Sequence, residues 1–256
     1  MRELMPQLKD RVALITGSSR GIGAGIARVL AGQGANVVIH GRDPSALAAV
    51  RGEIEHTGAH VISVAADVTK FPDVETMRRE IEDQLGPVDI LVANAGGSFT
   101  RPAALEDISD EGWRVTMEGN LDATFLTIKS FLPGMKKRRS GCIITVSSAA
   151  ARRAHPNSPI PYAAAKAGII MMTQHLAAQV GPYNIRVNCI APETILTENN
   201  RVRIPLDQQA TLAESHPLKR LGTVEDIAHA ALYLASDNAG WVTGTVLDVA
   251  GGAVMV

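Results

Sequence analysis

Tyr162 and Lys166 lie four residues apart in PYAAAKAG, and the serine pair Ser147-Ser148 lies one loop upstream. On a helix, residues i and i+4 share a face. A free phenol has a pKa of ~10, too high for easy proton exchange near neutrality. A neighbouring ammonium favours the phenolate and lowers that pKa. Tyr162 is therefore the candidate general acid and base, and Lys166 the group that tunes it. The hydroxyl of Ser148 is placed to hold a substrate oxygen against the phenol. Lys166 is also long enough to reach the ribose hydroxyls of a nicotinamide nucleotide. A YxxxK pair alone is common by chance and usually exposed. Its weight here comes from a second motif far upstream, Thr16-Gly17-Ser18-Ser19-Arg20-Gly21-Ile22-Gly23.

That second motif follows the apolar run VALIT and opens a helical segment. Gly17 permits a tight turn, Gly21 removes a side chain where a pyrophosphate must approach, and Gly23 lets helix and strand pack closely. Ser19, Arg20 and Ile22 complete the turn and join the predicted cofactor-binding set. The helix N-terminus offers free N–H groups and a positive dipole end to phosphates. The spacing is GxxxGxG, and the Gly-Lys-Ser/Thr ending of a P-loop is absent. The end of the second strand selects the cofactor. A carboxylate there would bind the adenosine ribose and favour NAD, but the sequence reads His40-Gly41-Arg42. Arg42, with Arg20 from the turn, suits a 2′-phosphate, so NADP(H) is expected. Asp43 beside Arg42 keeps NAD(H) possible. Asp67-Val68, at the end of the third strand, is placed to meet adenine. Asn94-Ala95-Gly96, at the end of the fourth, lets the backbone pass beside the cofactor.

These groups need a scaffold that brings strand ends together. The strand candidates are 12–16, 36–40, 60–66, 88–94, 142–148, 185–191 and 245–250. Each is rich in Val and Ile without clean alternation, as strands buried on both faces are. Helices are expected over 21–34, 44–56, 72–85, about 110–139 with Ser109 as N-cap, about 160–180, and from the capping box at Thr223 to about Ser236. The pattern predicts an α/β fold: one doubly wound, Rossmann-type parallel sheet of about seven strands with helices on both faces. Residues 1–256 are read as a single domain. The stretch 192–222 has no strand character, and an insertion of that length is expected to be a substrate lid.

Bulk properties narrow the function. A net charge of −1 argues against general nucleic-acid binding. No apolar run reaches membrane-spanning length, and MRELMPQLKD lacks the apolar stretch of a signal peptide. Cys142 and Cys189 lie in β-branched runs and read as buried thiols of a reducing compartment. A cytoplasmic protein is expected. The seven histidines are scattered without metal-ligand spacing, and His175 reads as a packing residue. The segments around Trp113–Leu126 and Ala163–Leu176 are apolar on more faces than one sheet can cover. They predict a homo-oligomeric interface.

In this order, the glycine turn, Asn-Ala-Gly, a helix asparagine, a serine and YxxxK resemble the short-chain dehydrogenase/reductase family over nearly the whole chain. The resemblance implies hydride transfer between a nicotinamide cofactor and a carbonyl or secondary alcohol. It implies that Asn120 joins Ser148, Tyr162 and Lys166 in a tetrad and holds a water of a proton relay. It also implies that Pro192, Ile195 and Thr197 contact the cofactor, and that the assembly is a homotetramer. Three departures stand out: Pro192-Glu193 where the family has Pro-Gly, Ala93-Asn94 where Asn-Asn is usual, and a loop from Ser148 to Tyr162 rich in Arg152, Arg153 and His155. Those three basic residues either select a polar or anionic substrate or face solvent. The basic run Lys136–Arg139 ends a helix, where positive charge is favourable; in 3-oxoacyl carrier-protein reductases of the family a basic surface near it docks the carrier. Tyr183 replaces the companion basic position. A non-catalytic redox sensor is a further alternative. A nucleotide-sugar epimerase would need a larger C-terminal region.

Overall fold

The computed structural model describes residues 7–255. Most of the N-terminal segment read for a signal peptide therefore lies outside the described residues. Seven parallel strands form one sheet in the order β3-β2-β1-β4-β5-β6-β7. They are β1 (Val12–Ile15), β2 (Asn36–Gly41), β3 (Val61–Ala65), β4 (Ile90–Ala93), β5 (Gly141–Val146), β6 (Ile185–Pro192) and β7 (Val246–Val249). The helices are α1 (Gly21–Gly32), α2 (Pro44–Glu55), α3 (Phe71–Leu85), α4 (Asp110–Met117), α5 (Ala123–Arg138), α6 (Ile160–Val180), α7 (Glu198–Arg203), α8 (Leu206–Ser215) and α9 (Val224–Ala235).

The unbroken apolar strands follow from burial on both faces. Ala13 and Ile15 of β1 pack into a core with α1, α2 and α9. Their neighbours Val12 and Leu14 pack into a second core with α3, α5 and α6. Successive side chains point to opposite faces, so both sets must be apolar. Helix starts follow local chemistry. Asp43 caps α2 by accepting from Ser45 N and Ala46 N, with Pro44 opening the helix. Ser109 caps α4 through Gly112 N. Thr223 and Asp226 form the reciprocal capping box of α9.

The order of strands reverses between β1 and β4, which opens a cleft at their carboxyl ends. Two expectations change in detail. The expected helix over 110–139 is continuous but carries a π-helical turn, Glu118–Asp122, between α4 and α5. The 192–222 stretch is mostly helical: α7 and α8 occupy it, and its ends meet at an Ile195–Gly222 bridge. Among the described residues, no helix is long and apolar enough to cross a membrane.

Candidate active site

The glycine turn is fixed by the end of the neighbouring strand. The Thr16 hydroxyl accepts from Asn94 N (3.1 Å) and Ala95 N (3.0 Å). The Asn94 amide donates to the carbonyls of Thr16 (2.9 Å) and Gly17 (3.1 Å). Gly17 has φ +65°, and a Cβ on it would lie 2.8 Å from the Ala95 Cα. A Cβ on Gly23 would overlap the Gly17 carbonyl. Gly17 is thus required by conformation as well as by packing, and Gly23 by packing alone. His40 was not singled out from the sequence, yet it braces this turn. Its Nδ1 accepts from Gly17 N (3.1 Å), and Nε2 lies 3.1 Å from the Ala66 carbonyl. A backbone N–H can only donate, so the ring proton sits on Nε2. Burial, the largest influence, pushes the His40 pKa down and favours this neutral form.

Two adjoining clefts flank the turn and share Gly17, Arg20 and Gly96. The outer cleft, about 620 Å³, is lined by Ser19, Arg42, Asp67, Val68 and Ala95. Arg42 is exposed there and makes no ion pair among the described residues. Asp43 caps α2 and lies 3.5 Å from Arg20, so its carboxylate is already engaged. Asp67 accepts from Thr69 through both its N–H and its hydroxyl, which holds its pKa below the ordinary value.

The inner cleft, about 360 Å³, is lined by Ile22, Gly23, Asn94, Ser148, Tyr162, Lys166, Pro192, Ile195 and Thr197. Lys166 is buried, with Nζ donating to the Val146 carbonyl at 2.9 Å, and burial brings its pKa down to about 8. Burial raises the Tyr162 pKa, and the nearby Ser148 hydroxyl partly opposes the rise. The expected acidification of the phenol by Lys166 is not among the influences on Tyr162, where burial outweighs the Ser148 hydroxyl, and Nζ lies 5.7 Å from the ring centroid. Ser147, the other member of the pair, is buried and donates to the Lys166 carbonyl (2.7 Å), tying α6 to β5. Asn120 sits in the π turn behind the cleft. Its amide nitrogen donates to Thr116 O and Gly97 O, and its Oδ1 accepts from Gly97 N. π turns often mark functional positions, but hydrophobic periodicity does not reveal them.

Of the predicted set, only Gly21 and Asn120 do not line a cleft; Gly21 opens α1 at its edge. The Gly21 N–H donates to a Glu198 carboxylate oxygen (3.2 Å). An anion from the chain itself therefore sits where phosphates are expected, and the helix end fits a dinucleotide pyrophosphate. Thr197 caps α7 through Asn200 N. Glu193 lines the inner cleft, accepts from Thr194 N, and pairs with the buried His216 Nε2 at 2.8 Å. Those bonds hold its carboxyl below the ordinary range although burial opposes them. His216 Nδ1 meets the Leu212 carbonyl (2.7 Å), so the pair joins the end of β6 to α8. Arg152 is taken up by a two-pronged contact with Asp248 (2.9 and 3.0 Å), while Arg153 and His155 are exposed. His175, expected to pack, is also exposed; it lines a surface groove between α5 and α6. Among the described residues, no group of three or more His, Cys, Asp or Glu that could hold a metal comes together. Both cysteines are free and buried.

Similarity to known proteins agrees with this geometry. The family model described as enoyl-(acyl carrier protein) reductase matches residues 17–254. The chain is 39% identical over 246 residues to 3-oxoacyl-acyl-carrier-protein reductase FabG of Chlamydia muridarum, covering 96% of this chain and 98% of the relative. A 3-oxoacyl-acyl-carrier-protein reductase from Brucella melitensis with bound NAD superposes with TM-score 0.90 at 36% identity, covering 99% of this chain and 94% of that one. A gluconate 5-dehydrogenase from Burkholderia cenocepacia, in complex with NADP and tartrate, does so with TM-score 0.90 at 34% identity, covering 97% of each. Sheet order, cleft and similarity together place this chain in the short-chain dehydrogenase/reductase family, as an oxidoreductase acting on CH–OH or C=O groups with NAD or NADP.

Proposed function

We propose that the chain is an NADP(H)-dependent oxidoreductase of a small carbonyl or secondary alcohol, with Tyr162 as general acid and base. The reading is carried by one observation: Ser148, Tyr162 and Lys166 line the same cleft as the phosphate-binding turn. The nicotinamide, when bound, supplies or takes the hydride. Ser148 holds the substrate oxygen, and Tyr162 donates a proton to it in reduction or removes one in oxidation. Lys166 binds the nicotinamide ribose and adds positive charge beside the phenol. Asn120 has both amide hydrogens engaged, so its side chain serves by clamping Gly97 behind the cleft. Gly17, Ser19, Gly21, Ile22 and Gly23 form the phosphate seat; Asp67 and Val68 meet adenine; Asn94 and Gly96 flank the cofactor; Pro192, Ile195 and Thr197 close the far side.

Arg42 supports NADP(H), because it is free at the mouth of the outer cleft while Asp43 is engaged elsewhere. The stretch 192–222 acts as the lid, pinned by Glu193 and His216. The groove between α5 and α6 suits a homotetramer. Two free thiols without disulfides suit the cytoplasm. A carrier-borne 3-oxoacyl thioester is the second reading, favoured by the similarity to FabG. Its docking surface would be the end of α5, where Lys136 and Arg139 lie over Tyr183.

Replacing Tyr162 with Phe tests the core of the reading. Turnover falls by on the order of 10²–10⁴-fold, while NADPH titrated by its fluorescence binds as in the parent. The same titration gives a lower Kd for NADPH than for NADH. Parent-like turnover by Tyr162→Phe, in any assay where the parent reduces a ketone, overturns the mechanism.

A further inference from the structure

The first N–H groups of a helix have no partner within it. At α1 the residue preceding the helix, Arg20, offers them no side-chain bond. Glu198 does, from 177 residues away: its Oε2 accepts from Gly21 N. That carboxylate is exposed, and Gly21 is its one hydrogen-bond partner and no cation its salt-bridge partner among the described residues. It is not needed to cap its own helix, because Thr197 already does so. The methyl of Thr197 closes on the same spot, 3.3 Å from where a Cβ on Gly21 would lie.

A carboxylate and a pyrophosphate are both anions and seek the same donors at the same positive helix end. They cannot share it. We propose that Glu198 sets the affinity for the dinucleotide by competing with its pyrophosphate for the N-terminus of α1. In the ligand-free chain the carboxylate holds the Gly21 N–H, and the cofactor seats only when Glu198 swings into solvent. The inference rests on the nicotinamide dinucleotide reading of this cleft. Its arithmetic is that of a protein whose binding-competent form is fractionally populated: the apparent Kd is the intrinsic Kd divided by that fraction. For a single hydrogen bond to an exposed charge, the fraction lost corresponds to about three- to tenfold in Kd. The contact also joins the phosphate turn to α7, so the event that admits the cofactor releases the first helix of the 192–222 stretch.

The test compares the full-length parent with Glu198→Ala and Glu198→Gln, after circular dichroism shows that all three are folded. NADPH is titrated by fluorescence, and Gly21 amide exchange is followed with and without NADPH. The expected result is a Kd about three- to tenfold lower in Glu198→Ala, with faster Gly21 exchange than in the parent when NADPH is absent and equal exchange when it is present. A comparable gain in Glu198→Gln assigns the competition to charge, and a gain in Ala alone assigns it to the hydrogen bond; either supports the proposal. Unchanged or weaker NADPH binding in both variants overturns it. So does tighter binding with unchanged Gly21 exchange, which would reflect long-range charge only. If the parent binds neither NADPH nor NADH, the dinucleotide reading fails, and this proposal with it.

Discussion

Lys166 carries an ammonium in a place hostile to charge, held by the Val146 carbonyl. Its pKa, down to about 8, ties stability to pH with a definite sign. In the unfolded chain a lysine keeps its proton up to ~10.4. Between the two values the native state has released a proton that the unfolded state still holds, so native stability rises with pH there. Below about 8 both states are charged and the native state bears the whole burial penalty. Compared with Lys166→Met, the parent should gain up to about 3 kcal/mol of relative stability between pH 8 and 10.5. Denaturant melts of both proteins across that range check this, and a pH-independent difference would contradict it. The same substitution abolishes turnover if Lys166 tunes Tyr162, so stability and activity move in opposite directions near neutrality. His40 shows the other use of a buried titratable group. It works uncharged, as a two-sided brace between Gly17 and Ala66.

At the scale of elements, α8 is held to the sheet by one polar contact close to the chemistry, His216 to Glu193. The Glu193 carboxyl sits below its ordinary range, so the pair's contribution is present above the unfolded value of about 4.5 and is lost as pH falls through the lower folded value. Replacing His216 with Ala should speed amide exchange over residues 206–215 by about tenfold or more and leave α9 unchanged; equal rates in both helices would dismiss the pin. The elements themselves were largely legible. Double-sided burial writes itself as Val- and Ile-rich runs, and caps such as Thr223 and Asp226 announce helix starts. The tyrosine, lysine and serine of the cleft were legible as well, because their spacing survives in one dimension. What escaped depended on distant partners. The π turn at Glu118–Asp122 leaves no periodic signature. The roles of His40, Ser147 and Glu198 arise only when strand ends and loops meet. Asp43 and Arg152 read as free charges until Arg20 and Asp248 arrive beside them.

For the whole molecule, a groove of about 610 Å³ between α5 and α6 presents apolar side chains away from the cleft. Phe125 and Met171 are exposed on these helices, and Met172 and Leu176 line the groove. A tetramer that buries them predicts that Leu176→Glu sediments as a smaller species while keeping its circular dichroism; an unchanged sedimentation coefficient would place the interface elsewhere. The grip of Arg152 on Asp248 joins the loop before α6 to the last strand, 96 residues on. On the ribosome, the nucleotide turn and both reactive side chains emerge long before that aspartate does. Until residue 248 has been synthesised, the loop beside Ser148 hangs without its tether, and β6 remains an unpaired edge. Once it is present, one ion pair fastens the rim of the cleft beside Ser148 to the strand that covers β6.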